Sequence, residues 1–226
     1  MIAQSLNNIW EELKPFHTTL VAVSKTKPIE DLQEAYKAGN RIFGENKVQE
    51  LASKAEEMPN DVEWHMIGHL QRNKVKYIAP FVNLIHAVDS IRLLKEIDKQ
   101  AKNNNRIINC LLQVHIAQEE AKFGFNEKEL KELINTAELK ELTHVRIIGL
   151  MGMATNTKDE SQIANEFKGL KTLFDEIKTA SLPTNVEMKE LSMGMSGDYK
   201  LALKEGSTMV RIGSSIFGLR SCQIDG

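Results

Sequence analysis

Between residues 19 and 214, short apolar runs rich in β-branched residues alternate with segments of helical periodicity, and the alternation repeats eight times. The strand candidates are 19–25, 41–45, 63–68, 84–89, 108–116, 145–153, 190–194 and 209–214. Helices are predicted over 29–38, 46–57, 72–79, 91–103, 126–137, 159–179 and 197–205. Segment 91–103 shows the pattern well. Ile91, Leu94 and Ile97 fall on one side, lysines fall on the other, and Asn103-Asn104-Asn105 marks a stop. Strands that alternate with helical crossovers run parallel. Eight such units in 226 residues predict an α/β chain closed into a single (β/α)8 barrel, the TIM barrel. An open doubly wound sheet, with fewer strands, is the alternative. Residues 3–14, with Leu6, Ile9, Trp10 and Leu13 at helical spacing, add a helix ahead of the barrel. No long linker, low-complexity tract or repeat interrupts the beat, so residues 1–226 are expected to form one domain.

The totals exclude several classes of function. A net charge of -2 and a pI near 6.3 give no electrostatic footprint for nucleic acid or an anionic membrane. No apolar run is long enough to span a bilayer. Asn7, Asn8, Glu11 and Glu12 stand where a secretory leader needs an unbroken apolar core. Cys110 lies in an apolar run and Cys222 in the tail, which makes neither a disulfide framework nor a metal motif. A cytoplasmic location is expected.

The first strand candidate ends in chemistry. Leu20, Val21, Ala22 and Val23 suit a strand covered on both faces, and Pro28 with Glu30 and Asp31 suits the first turn of the following helix. Lys25 sits between them, at the edge where ligands bind in barrels of this kind. A lysine there is either a solvated strand-end residue or an amine that forms a Schiff base with an aldehyde. Alternation places Val21, Val23 and Lys25 on one side; Lys27 is the competitor.

The other end of the chain supplies an anion cradle. Leu191-Ser192-Met193-Gly194-Met195-Ser196-Gly197-Asp198 follows strand seven, and Arg211-Ile212-Gly213-Ser214-Ser215 closes strand eight. Loops after strands seven and eight of such barrels often bind phosphate through backbone N–H groups, small residues and serine hydroxyls. Ordinary tight turns would use the same residues. An amine on strand one and a phosphate cup on strands seven and eight together match pyridoxal 5′-phosphate (PLP).

These residues closely resemble the PLP homeostasis protein family, which is related to the N-terminal barrel domain of alanine racemase. The resemblance runs through Ala22-Val23-Ser24-Lys25-Thr26-Lys27-Pro28, Phe43-Gly44-Glu45-Asn46 and Trp64-His65-Met66-Ile67-Gly68-His69-Leu70-Gln71-Arg72-Asn73-Lys74. It continues through Gly149-Leu150-Met151-Gly152-Met153, the 191–198 segment and Gly206-Ser207-Thr208-Met209-Val210-Arg211-Ile212-Gly213. It implies that Lys25 bears PLP, that Ser196, Gly213 and Ser214 hold its phosphate, and that Met195 lends a backbone contact. It also implies that Arg211 faces the pyridine nitrogen and Asn46 lies beside the ring. Many relatives have threonine where this chain has Ser214, and the hydroxyl survives.

An arginine beside the ring nitrogen cannot share a proton at neutral pH, which weakens PLP as an electron sink. Tyr36, Tyr77 and Tyr199 offer no clear second base for racemisation. The expected function is therefore a carrier or buffer of PLP without turnover, a monomer that passes cofactor to apo-PLP enzymes. Three other readings stay open. They are a weak racemase-like enzyme, a regulatory module acting through a protein partner, and a metal-dependent barrel hydrolase using Glu45 and Asp89. His65 and His69 stand four apart as in a zinc helix, but Met66 replaces the needed glutamate and Gly68 breaks the segment. His86 and His115 are expected as core or barrel histidines.

Overall fold

The computed structural model describes residues 1–118 and 123–218. Eight parallel strands close in sequence order: β1 (Thr19–Val23), β2 (Ile42–Glu45), β3 (Glu63–Met66), β4 (Leu84–Val88), β5 (Ile108–Gln113), β6 (Val145–Met151), β7 (Val186–Met195) and β8 (Met209–Ile212). Closure is made by β8 against β1, with Val21 opposite Arg211 and Ala22 opposite Ile212. Around them lie α1 (Ile2–Leu13), α2 (Ile29–Lys37), α3 (Val48–Glu57), α4 (Val75–Ile78), α5 (Ile91–Asn103), α6 (Glu127–Ile134), α7 (Ala137–Lys140), α8 (Glu160–Thr179), α9 (Tyr199–Lys204) and α10 (Ser214–Phe217). The expected barrel and its leading helix are both present.

Strand alternation splits the apolar residues into two sets. Leu20, Ala22, Phe43, Trp64 and Ile85 point outward and are buried under the helices. Val21, Leu84, Leu111, Met151 and Met209 point inward and fill the barrel. Helix α1 buries Ile2, Leu6, Ile9 and Leu13 and packs on α2 and α10. Its Glu12 accepts the Tyr199 hydroxyl at 2.6 Å and pairs with Lys200 at 3.0 Å. Among the described residues no helix is long and apolar enough to cross a membrane.

The element boundaries differ from the sequence expectations in instructive places. Strand β1 ends at Val23, so Lys25 lies in a turn beyond the ladder. Strand β7 starts at Val186 and not at 190, because Val186 and Met188 are buried while Glu187 and Lys189 face solvent. The predicted helix 72–79 opens as a 3-10 turn over Arg72–Lys74 before α4. Segment 126–137 is cut at Ile134. Asn126 and Glu129 form a capping box at its start, and Thr136 caps a separate α7. Helix α10, directly after Gly213, was not anticipated. Cys110 is buried, and its surroundings push the thiol pKa up; Cys222 lies outside the described residues.

Candidate ligand site at the barrel mouth

A cavity of about 430 Å³ opens at the carboxyl ends of the strands, a size that suits a small ligand. Its wall takes Val23 and Lys25 from the β1 end, Asn46 after β2, and Ile67, Gly68 and His69 after β3. Gln113, Met153, Met195, Ser196, Arg211, Gly213 and Ser214 complete it from β5 to β8. All seven residues singled out from the sequence, Lys25, Asn46, Met195, Ser196, Arg211, Gly213 and Ser214, therefore line one cavity.

Lys25 and Lys27 both reach this wall. The Lys27 ammonium donates to the Phe217 carbonyl at 2.7 Å and ties the β1 turn to the end of α10. Asn46 is placed by a close approach. A Cβ on Gly68 would lie 2.5 Å from the Asn46 carbonyl oxygen, so the β3 loop can pass under Asn46 only as glycine.

The two halves of the cradle are joined directly. Ser196 Oγ accepts the Gly213 N–H at 3.1 Å. The turn that carries Ser196 is closed both ways: Met195 N–H donates to Asp198 Oδ1 at 2.6 Å, and Asp198 N–H donates to the Met195 carbonyl at 3.1 Å. Gly194, at φ 96°, makes this turn possible, and a Cβ there would strike Ala202 at 2.6 Å. A Cβ on Gly197 would meet nothing within 4 Å, so the cradle is open space. The first backbone bond of α10 is Ile216 N–H to the Gly213 carbonyl, so helix geometry leaves the Ser214 and Ser215 N–H groups without an intrahelical acceptor.

Arg211 is buried at the floor. It donates to the Ser192 carbonyl at 2.9 Å, the Ser192 hydroxyl at 2.5 Å and the Gly152 carbonyl at 3.1 Å. Burial lowers its pKa to about 10, opposed by Asp198, so it stays charged at neutral pH. The chain of contacts continues across the barrel. Ser192 Oγ lies 2.9 Å from His86 Nδ1, and His86 Nε2 lies 3.0 Å from His65 Nδ1. Ser192 Oγ accepts from Arg211, and the two histidine rings carry the chain of hydrogen bonds on across the barrel. Both rings are neutral: burial lowers His65 to about 3 and holds His86 well below its ordinary value. His86 is thus a satisfied barrel histidine, as expected, whereas His115 stands half-buried beyond β5 with its backbone N–H on the Phe125 carbonyl. Ser192 and Asp198 lay inside the motif read from the sequence, yet their supporting roles were not legible there. The signal available was an Asp directly after Ser-Gly, a turn-closing pattern.

The residues considered for other chemistries are dispersed. Glu45 points outward because strand alternation turns Gly44 into the barrel, against Val21. His65 belongs to the buried chain. His69 pairs with Asp89 at 3.3 Å and its ring meets Phe123. Among the described residues no three His, Cys, Asp or Glu side chains converge as a metal site. Tyr36 is bonded to Asp61, Tyr199 to Glu12, and none of the three tyrosines lines the cavity.

Residues 2–221 match the family described as alanine racemase, N-terminal domain. The pyridoxal phosphate homeostasis protein of Aquifex aeolicus is 41% identical over 202 residues, covering 89% of this chain and 86% of that protein. Its namesake from Vibrio alginolyticus is 42% identical over 211 residues, covering 91% and 88%. The chain belongs to the pyridoxal phosphate homeostasis protein family. Among solved structures, this family member is similar to PipY of Synechococcus elongatus PCC7942. The form without PLP superposes with a TM-score of 0.89 at 35% identity, covering 96% of this chain and all of that one. The form with PLP bound gives 0.86 at 34%. Alanine racemase from Bartonella henselae shares the fold at a TM-score of 0.71 and 17% identity, and this chain spans only 60% of it.

Proposed function

We propose that this member of the homeostasis family binds PLP in the barrel-mouth cavity and serves as a carrier or buffer of the cofactor, without turnover. One observation carries the reading: the Lys25 turn, the Ser196–Gly213 joint and buried Arg211 all bound one cavity of about 430 Å³. The donor set fits the cofactor. The hydroxyls of Ser196 and Ser214 and the first N–H groups of α10 hold a phosphate, with the missing side chain of Gly197 leaving it room. Asn46 lies beside the ring, whereas the Met195 N–H, to which the resemblance gives a backbone contact, is taken up by Asp198 Oδ1 at 2.6 Å. Bound there, PLP supplies an aldehyde that takes up a primary amine reversibly, and Lys25 is the amine of this chain.

Arg211 is a donor only. Held by Ser192 and Gly152 and still charged at neutral pH, it donates toward a ring nitrogen and hands over no proton. That leaves the ring neutral and a poor electron sink, which favours holding over catalysis. The three tyrosines sit away from the cavity, so none stands ready as a second base. The relatives' name supports the same reading, as does the PLP bound in PipY. Apo-PLP enzymes in the cytoplasm are the acceptors in this reading, and the chain works as a monomer.

The deciding experiment mixes PLP-loaded protein with an unrelated apo-PLP enzyme and follows the recovery of that enzyme's activity. Recovery at or above the rate of release into free solution is expected, together with negligible racemase activity on common amino acids. Robust turnover that Lys25→Ala abolishes would replace the carrier by a weak racemase-like enzyme.

A further inference from the structure

Lys25 is the second residue of a four-residue turn, closed by the Lys27 N–H donating to the Ser24 carbonyl at 3.1 Å. Thr26, the third residue, has φ 62°. That left-handed conformation is natural for glycine and strained for a β-branched residue. Such strain persists only where the surroundings over-determine it, and it clusters at functional sites.

The surroundings here are a buried ionic network behind the turn. Lys54, from α3, donates to the Ser24 carbonyl at 2.7 Å, to Glu45 Oε1 at 2.8 Å and to Glu50 Oε1 at 2.7 Å. These three bonds use every donor of the ammonium. Glu45 Oε1 also accepts the Ser24 hydroxyl at 2.6 Å, and Glu50 Oε1 accepts the Thr26 N–H at 2.6 Å. The residue before Lys25 and the residue after it are therefore both gripped by one set of charges. Glu45 and Lys54 are buried, and Glu45 Oε2 lies in the interior with no partner. A buried ionic cluster adds little stability over apolar side chains of the same volume. What this one does is directional, since its bonds to the backbone all end on the Lys25 turn. None of the three charged residues lines the cavity.

We propose that Lys54, oriented by Glu45 and Glu50, is a positioning residue that holds the turn in its strained form and aims the Lys25 amine into the cavity. This rests on the reading that Lys25 carries the cofactor. The network acts on the amine alone and leaves the phosphate cradle untouched.

The test compares Lys54→Met, which keeps the apolar stem, with the wild type, using two probes. PLP reports the covalent link to Lys25, followed by its absorbance band and by borohydride trapping with peptide mapping. Pyridoxine 5′-phosphate has the ring and phosphate but no aldehyde, so it reports the cavity without the link. Lys54→Met is expected to slow formation of the link about tenfold, the scale of losing bonds to a charged donor, while pyridoxine 5′-phosphate binds as before. Glu50→Gln, at a partly buried site, is expected to give a smaller slowing in a folded protein, and it serves if Lys54→Met fails to fold. A wild-type rate in the variants, or equal weakening of both probes, overturns positioning. Borohydride label on another residue of the wild type defeats the Lys25 reading itself and this inference with it.

Discussion

The Ser196 hydroxyl accepts the Gly213 N–H at 3.1 Å, which joins the loop after β7 to the loop after β8 across the rim of the cavity. One side chain thus shapes the cradle and lines it at the same time. Ser214 lines the same cradle without making that joint.

Ser196→Ala and Ser214→Ala each remove a hydroxyl donor to a bound phosphate, and hydrogen bonds to charged groups are worth roughly 1.5–3 kcal/mol. PLP affinity should fall about tenfold or more in each. The loss should be larger for Ser196→Ala, which also frees the Gly213 N–H. Pyridoxal, lacking the phosphate, should hardly respond. Titration of both ligands against each variant checks this, and equal losses would place the phosphate elsewhere.

Reduction with borohydride after PLP loading should label Lys25 and leave Lys27 unmodified. The Lys27 ammonium is committed to the Phe217 carbonyl at 2.7 Å. Peptide mapping decides between them. Lys25→Ala should retain weaker PLP binding through the cradle and lose the absorbance band of the covalent link.

Gly68→Ala should damage the ring side of the cavity. The added methyl would lie 2.5 Å from the Asn46 carbonyl oxygen, which belongs to backbone and yields only if the loop shifts. Overpacking of this kind costs roughly 1–3 kcal/mol. Denaturant unfolding should show that loss, and affinity for pyridoxine 5′-phosphate should fall with it. An unchanged midpoint and affinity would mean the β3 loop moves freely.

Acid should destabilise the apo-protein through His65 and His86. The unfolded chain protonates a histidine near 6.5, while burial lowers His65 to about 3 in the folded barrel, and His86 is also strongly depressed. Depressed folded values mean the stability is fully present above about 6.5 and is lost as pH falls toward the folded pKa. The slope is up to about 1.4 kcal/mol per pH unit for each histidine. Between pH 6.5 and 5, above the range of most carboxylates, chemical unfolding should show it. His86→Gln should flatten the curve, and an identical slope in that variant would refute the assignment.

Much of this was legible in the chain. The alternation of apolar runs with helical segments specified parallel strands with helical crossovers, and their number, eight, pointed to a closed barrel. The lysine at the end of the first strand candidate and the small residues of 191–198 and 211–215 already marked the residues that line the cavity. These are local signals: a period of two, a turn chemistry, a spacing.

Tertiary structure decided what depends on pairs far apart in sequence. Lys27 donates to a carbonyl 190 residues away. Glu45 looks like a strand-end carboxylate, yet the alternation after Gly44 turns it outward onto Lys54. The Arg211–Ser192–His86–His65 chain joins β8, β7, β4 and β3, which only closure of the barrel brings face to face. Local propensity carries the strands and turns, but which polar groups satisfy one another inside the barrel follows from register and closure, and neither is written in any single segment.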